Sequence, residues 1–364
     1  MEQSLFIKWV NKFFPGITVA VVSKLNDTKN PLTYLHRSML KKDYSVTGKW
    51  ESISAANTLV MADVVAMDSP LPLKKRDSIS KANGDIAKMG MELKLNERQL
   101  TDLDTLVAQG GTDSQILAKL FADTPKVIGG IYERLEEMFL MGLSSGVTLV
   151  EDTENVGTGI RLDYGFPSAN KFGTAGAIWS TSGGTGVTPF DDIAAVLAKV
   201  MTDGNSVNRV LLDQTTFNYM VDVTQTKELF AFSQGFVGST IPAPDLAQVN
   251  KFVLARYGFV FQIVNRSVRY EKNGTQTIKQ PWTAGQIAFV GSDIVGSLTY
   301  ARLAEQNHPV ENVSYSTVDD FILVSKYRQN KPSLSEYTSS QARVVPVIQN
   351  VDSIYLLDTT NVQA

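Results

Sequence analysis

Residues 124–150 read TPKVIGGIYERLEEMFLMGLSSGVTLV, and the reading of this stretch decides the fold. Thr124 stands where a helix cap belongs, and Pro125 falls in the first turn, where its missing N–H is no loss. Val127, Ile128, Ile131, Leu135, Met138 and Phe139 recur at three-to-four spacing, which predicts a one-sided helix of about 20 residues. Glu133, Arg134, Glu136 and Glu137 are expected on its solvent side. At Gly146 the period turns from helical to alternating, and Val147 to Val150 reads as a strand. A long amphipathic helix running straight into a β-layer predicts an α+β fold.

Toward the N-terminus, Leu100, Leu103 and Leu106, then Ile116, Leu117, Leu120 and Phe121, predict two shorter helices. Residues 44–79 show no helical period. They carry an apolar stretch at 58–67, with Met61 and Met67, followed by Ser69-Pro70-Leu71-Pro72-Leu73-Lys74-Lys75-Arg76. Two prolines and three adjacent cations exclude a buried central strand and predict a long two-stranded excursion with a basic flank. Residues 1–16 set Phe6, Ile7, Trp9, Val10, Phe13 and Phe14 among Lys8 and Lys12 and lack a secretory signal pattern. A short amphipathic helix is expected there, then a strand-like segment at 17–22 and a polar segment before Pro31; together these form an arm that does not fold alone.

Toward the C-terminus, 160–164 reads as a strand and 180–186 as a Gly/Ser/Thr loop. Thr188-Pro189-Phe190-Asp191 opens a helix through Ile193, Val196, Leu197 and Val200, and 207–212 follows as a buried strand. Leu246, Val249, Phe252 and Val253 predict a helix that stops before Gly258. A strand at 259–264 and a hairpin over 268–278 turning at Asn273-Gly274 come next, and the C-terminal stretch is strand-rich. Helix and strand alternating from 188 onward predict a compact α/β unit.

Composition removes several function classes. The chain has 364 residues, long enough for two compact units and extended arms. Lys and Arg number 34 against 37 Asp and Glu, a net charge of −3, so no global positive field marks a nucleic-acid binder, and contact with DNA is expected to be local and weak. There is no cysteine, which excludes disulfides, thiolate metal sites and Cys nucleophiles. His36 and His308 are the only histidines, and both are expected to be structural. No apolar run approaches the ~20 residues a membrane span needs.

Two segments imitate active sites. Gly142-Leu143-Ser144-Ser145-Gly146 matches G-x-S-x-G, and with His308 downstream it raises an α/β hydrolase using Ser144. A nucleophile elbow needs a strand before its serine and a helix after it; here the order is reversed, as at a helix C-terminus closed by Gly146. Gly184-Thr185-Gly186 lacks the third glycine of a phosphate-binding turn and reads as a loop. The pairs Asp191/Asp192, Glu136/Glu137 and Asp319/Asp320 point apart on a regular helix or strand and read as solvated faces. Lys41-Lys42 and the 74–76 cluster suit ion pairing with a neighbouring chain.

The order of arm, excursion, long helix, β-layer, α/β unit and returning strands resembles the HK97 fold of tailed-phage major capsid proteins. The resemblance is to the lambda-like major head proteins, the phage major capsid protein E family. It is carried by ERLEEMFLMGLSSG at 133–146 running into the strand after it, RLDYGF at 161–166, and GAIWS at 176–180 ahead of Pro189-Phe190-Asp191-Asp192-Ile193. Val210-Leu211-Leu212-Asp213 before Phe217, and the tail from Val345-Pro346-Val347-Ile348 to Ser353-Ile354-Tyr355-Leu356-Leu357-Asp358, complete it.

The resemblance implies an N-arm at 1–43, an E-loop at 44–85, a P-domain at 86–187 with its spine helix about 124–145, an A-domain at 188–290, and a return to the P-domain at 291–364. It implies a non-enzymatic shell subunit without cofactor or metal, assembling in the host bacterial cytoplasm into the hexamers and pentamers of a virion head around double-stranded DNA. A separate scaffolding protein, a portal and a decoration protein are the further partners it suggests. Trp9, Phe13, Phe14, Met61, Met67, Lys74, Lys75 and Arg76 are the expected inter-subunit residues. An encapsulin-like nanocompartment shell shares these features and stands as the alternative, with the α/β hydrolase third.

Overall fold

The computed structural model describes residues 1–26, 33–55, 79–155, 157, 159–179, 186–235 and 241–363. The chain forms two compact units: Met1–Trp50 with Gly84–Met138 and Ser297–Val347, and Glu51–Asn83 with Phe139–Gly296 and Ile348–Ala364.

The first unit is built on a sheet in the order Leu40–Tyr44, Gly296–Tyr300, Ser335–Ile348, Ile322–Gln329, Ser314–Val318, and Lys88–Leu95 also pairs with Ser335–Ile348. Helices Glu97–Ala108 and Asp113–Leu120 begin with reciprocal capping boxes, Asn96 with Gln99 and Thr112 with Gln115, which satisfy amide donors that a helix start leaves open. Leu100, Leu103, Ile116 and Leu120 face inward, as their spacing predicts.

The N-terminal helix differs from expectation. It is continuous from Ile7 to Ser23, so the strand expected at 17–22 is helical. β-branched residues disfavour a helix by tenths of a kcal/mol each, a bias that tertiary packing overrides. Val10, Phe14 and Thr18 recur every four residues on a single buried stripe. Phe14 stacks on Phe121 with ring centroids 5.9 Å apart, and Thr18 shares a 2.8 Å hydrogen bond with Ser316 on the edge strand. Pro15 is accommodated because it and Asn11, whose carbonyl it leaves without an amide partner, are exposed.

Helix Thr124–Ser145 has the predicted length. Thr124 does not cap it: the helix includes Thr124, whose hydroxyl is buried without a partner among the described residues. Nor do the acids all face solvent. Glu136 and Glu137 are buried, Glu137 paired with Arg134 on the same helix. The helix ends where Gly146 enters the left-handed region at φ +81°, its N–H returning to Gly142 O at 2.8 Å.

The second unit holds a five-stranded mixed sheet in the order Lys171–Thr174, Tyr355–Val362, Gln286–Val290, Arg209–Leu212, Val260–Ile263. The last two are parallel, and the chain between them crosses over through helices Gln214–Asp222, Thr224–Gln234 and Leu246–Tyr257. Val210, Leu212, Ile287, Phe289, Tyr355 and Leu357 join Ile193, Val196 and Val200 of helix Pro189–Thr202 in one apolar core. Gly258, φ +80°, ends helix Leu246–Tyr257, and Asn273 and Gly274, both at positive φ, make the predicted tight turn between Val268–Lys272 and Thr275–Lys279. Lys49–Ala55 and Ile79–Asp85 form a two-stranded sheet at the base of the predicted excursion.

Candidate functional site

The G-x-S-x-G segment is a helix terminus in three dimensions as well. Ser144 is buried; its hydroxyl donates to Met141 O and Thr283 Oγ1 at 3.2 and 3.0 Å and accepts from Thr283 N at 3.1 Å. The glycines have packing reasons. A Cβ on Gly142 would lie 2.6 Å from the Tyr164 ring, and one on Gly146 would meet the Phe166 ring at 3.0 Å. Tyr164 is fully buried, with its hydroxyl 3.2 Å from Thr148 Oγ1. Burial raises the Tyr164 phenol far above its ordinary range, so it acts as a neutral hydrogen-bonding group. The Gly184-Thr185 portion of the second motif lies outside the described residues.

Of the paired carboxylates, Glu136, Glu137, Asp192 and Asp319 are anchors within the subunit, whereas Asp191 and Asp320 keep the solvent exposure expected of them. Glu136 takes three donors from one segment: Leu35 N at 2.9 Å, His36 N at 3.1 Å and His36 Nδ1 at 2.6 Å. His36 is fully buried, and its Nε2 has no partner among the described residues. Asp192 is also buried, accepting from Ala175 N at 2.7 Å and Trp179 Nε1 at 2.8 Å. Burial raises its carboxyl above the usual range, and those two hydrogen bonds only partly offset it.

Asp319 and Asp320 both reach Lys42 Nζ, each at 2.7 Å. The expectation that adjacent acids diverge assumes extended backbone. Both residues instead sit at positive φ in the turn between Ser314–Val318 and Ile322–Gln329, which brings them to one side. Asp319 also accepts from Tyr132 Oη at 2.6 Å. Burial opposes its charge, but Lys42 and Tyr132 outweigh that and hold it below the usual carboxylate range. Lys42 is therefore committed to this turn.

These anchors escape sequence reading because their donors come from separate segments, Glu136 and His36 being 100 residues apart and Asp192 and Trp179 13 apart. One signal was available for Glu136. It lies four residues from Tyr132 and from Leu140, both on the buried stripe.

The residues expected at subunit contacts fall into two groups. Met61, Met67, Lys74, Lys75 and Arg76 lie outside the described residues. Of the three arm aromatics, Phe14 is buried in its own subunit, whereas Trp9 and Phe13 keep part of their surface exposed. Trp9 Nε1 donates to Asp113 at 3.1 Å, and Lys8 and Lys12 lie over the Trp9 and Phe13 rings. Among the described residues no group of three or more His, Asp or Glu side chains is placed to hold a metal ion, and no helix is long and apolar enough to cross a membrane.

Two solved structures share the chain's architecture. A prophage capsid protein from E. coli CFT073 superposes with a TM-score of 0.57 at 11% identity, over 98% of this chain and 99% of that one. A phage-related protein from Bordetella bronchiseptica RB50 does so with a TM-score of 0.50, also at 11% identity, over 96% and 98%. The fold is the HK97 type. Within that fold class the chain belongs to the phage major capsid protein E family, whose profile it matches over residues 18–355. None of the curated protein sequences matches it. Building the capsid shell is thus the function of this chain, as it is of the family.

Proposed function

We propose that this subunit closes, as hexamers and pentamers of identical chains, into the icosahedral head of a tailed phage around double-stranded DNA, acting by assembly and without catalysis. The family match over 18–355 carries the reading. In this scheme 1–43 is the N-arm, 44–85 the E-loop, 86–187 the P-domain, 188–290 the A-domain, and 291–364 the return to the P-domain. The part-exposed Trp9 and Phe13 support an arm that offers apolar surface to a neighbour, and the Met61, Met67 and 74–76 region would be the second contact. Phe14 drops from the contact set because its burial is already satisfied within the subunit.

A net charge of −3 suits an inner wall that must not grip its packaged genome. A scaffolding protein, a portal and a decoration protein are the remaining partners, with assembly in the cytoplasm of the host bacterium. Heterologous contacts repeated between like subunits generate closed rings and shells. Negative-stain microscopy of the purified chain, with and without scaffold, tests the scheme. Closed shells are expected; monomers alone under every condition would overturn it.

A further inference from the structure

The first residues of the chain are strapped across a buried acid. Glu2 exchanges both backbone hydrogen bonds with Arg328, each 3.0 Å, and its carboxylate takes Arg328 Nη2 at 2.9 Å and Asn330 Nδ2 at 2.8 Å. Ser4 and Phe6 are buried behind it. Beneath them lies Glu336, only 1% exposed, on the strand that pairs Glu336 directly with Arg328. Its Oε2 is met by the Leu5 N–H at 3.4 Å, while Oε1 is buried without a partner among the described residues.

The charges around Glu336 come from every element packed on it. Lys326 and Arg328 share its face from the neighbouring strand, Glu2 comes from the strap, and Asp123 lies beside Lys326. The strand on its other side sets Leu95 opposite Glu336, with Leu93 and Met91 following on the same face. None of the cations lies within ion-pair distance of it. A lone ionised carboxylate is strongly disfavoured in such a place, and a protonated one far less so.

We propose that residues 2–6 form a proton-controlled strap, held down over Glu336 while that carboxyl is protonated and loosened when it ionises and draws in water. The electrostatics agree with the geometry. Burial pushes the Glu336 carboxyl above the usual carboxylate range; Ser4, the Lys326 ammonium, the Leu5 amide and the Arg328 guanidinium pull the other way without cancelling it. The docked strap thus binds more protons than the open one between the ordinary and the raised value. Docking strengthens as pH falls through that window.

The strap begins the N-terminal helix, so it sets how firmly the start of that helix is held. The inference does not depend on shell assembly, and its test uses the full-length unassembled chain. Hydrogen exchange, corrected for the intrinsic pH dependence, would be followed at amides 4–10 between pH 7.5 and 5, with amides 322–326 of the strand Ile322–Gln329, which do not bond the strap, as internal reference. Protection at 4–10 is expected to rise relative to the reference as pH falls, by up to tenfold per pH unit. Glu336→Gln, a permanently uncharged stand-in, is expected to show the high value throughout, without a slope. A flat or falling wild-type profile overturns the strap even if the variant fails to fold, and so does a Glu336→Gln profile that keeps the wild-type slope.

Discussion

Lys326 shows how a single residue sets a pH response. It is completely buried, donating to Leu120 O and Thr338 Oγ1, each at 3.0 Å, with its ammonium 5.3 Å from the Phe121 ring centre. Burial brings it down from 10.5 to about 8, while Glu336 and Asp123 oppose the shift. Between those values the unfolded chain binds more protons than the folded one, so this group makes stability rise with pH from about 8 to 10.5. A shift of that size corresponds to a burial cost on the order of 3 kcal/mol at neutral pH. Lys326→Met keeps the volume, removes the charge and forfeits two hydrogen bonds. It should raise the stability at pH 7, read from the thermal midpoint, by a net of about 1–2 kcal/mol, with the gap closing toward pH 10. A variant less stable than wild type by a pH-independent margin would contradict this account. Glu136 is the opposite case, a buried carboxyl group whose two oxygens are both used. Glu136→Ala strands two amides and the His36 Nδ1 donor, and thermal denaturation should register a loss of about 3–5 kcal/mol.

Among the elements, the G-x-S-x-G segment separates a motif from its chemistry. Gly146 is required by its positive φ and by the Phe166 ring, so Gly146→Ala should cost about 1–3 kcal/mol, whereas Ser144→Ala loses only its bonds to Thr283 and Met141, about 1 kcal/mol. Chemical denaturation midpoints of the two variants give the order directly; Ser144→Ala as the more damaging change would refute it. The same segment shows what could be read from sequence. Its helix, the helix starting at Pro189, the stop at Gly258 and the turn at Asn273-Gly274 were legible because period, proline and glycine act locally. The segment 17–22 misled because its β-branched composition argues for strand locally, while the deciding contacts, Phe121 and Ser316, come from distant parts of the chain. Glu136, Asp192 and Asp319 were misread for a related reason. Sequence gives the spacing of charges, not the donors that a returning strand or loop brings to them.

For the whole molecule, the part the N-terminal helix plays in stability and the part proposed for it in assembly fall on different faces, and this makes them separable. Phe14 is 1% exposed and stacked on Phe121, so its contribution belongs to the subunit. Phe14→Ala should destabilise the isolated chain by about 3–5 kcal/mol, the usual penalty for emptying a core aromatic site. Trp9 and Phe13 keep exposed ring surface that the isolated chain does not use. The double change Trp9→Ala with Phe13→Ala should lower the thermal midpoint less than Phe14→Ala does, since on a part-exposed face it forfeits the Trp9–Asp113 hydrogen bond, the Trp9–Phe6 ring contact and the Lys8 and Lys12 contacts with the two rings. It should nevertheless reduce particle yield severely. A shell repeats each contact many times, and a truncated interfacial aromatic costs about 1–4 kcal/mol at every copy. Calorimetry of the unassembled chain and sedimentation of assembled particles, run on the same three proteins, give the two readouts. A double variant that assembles as well as wild type would remove these aromatics from the interface. A double variant that melts as early as Phe14→Ala would return them to the core.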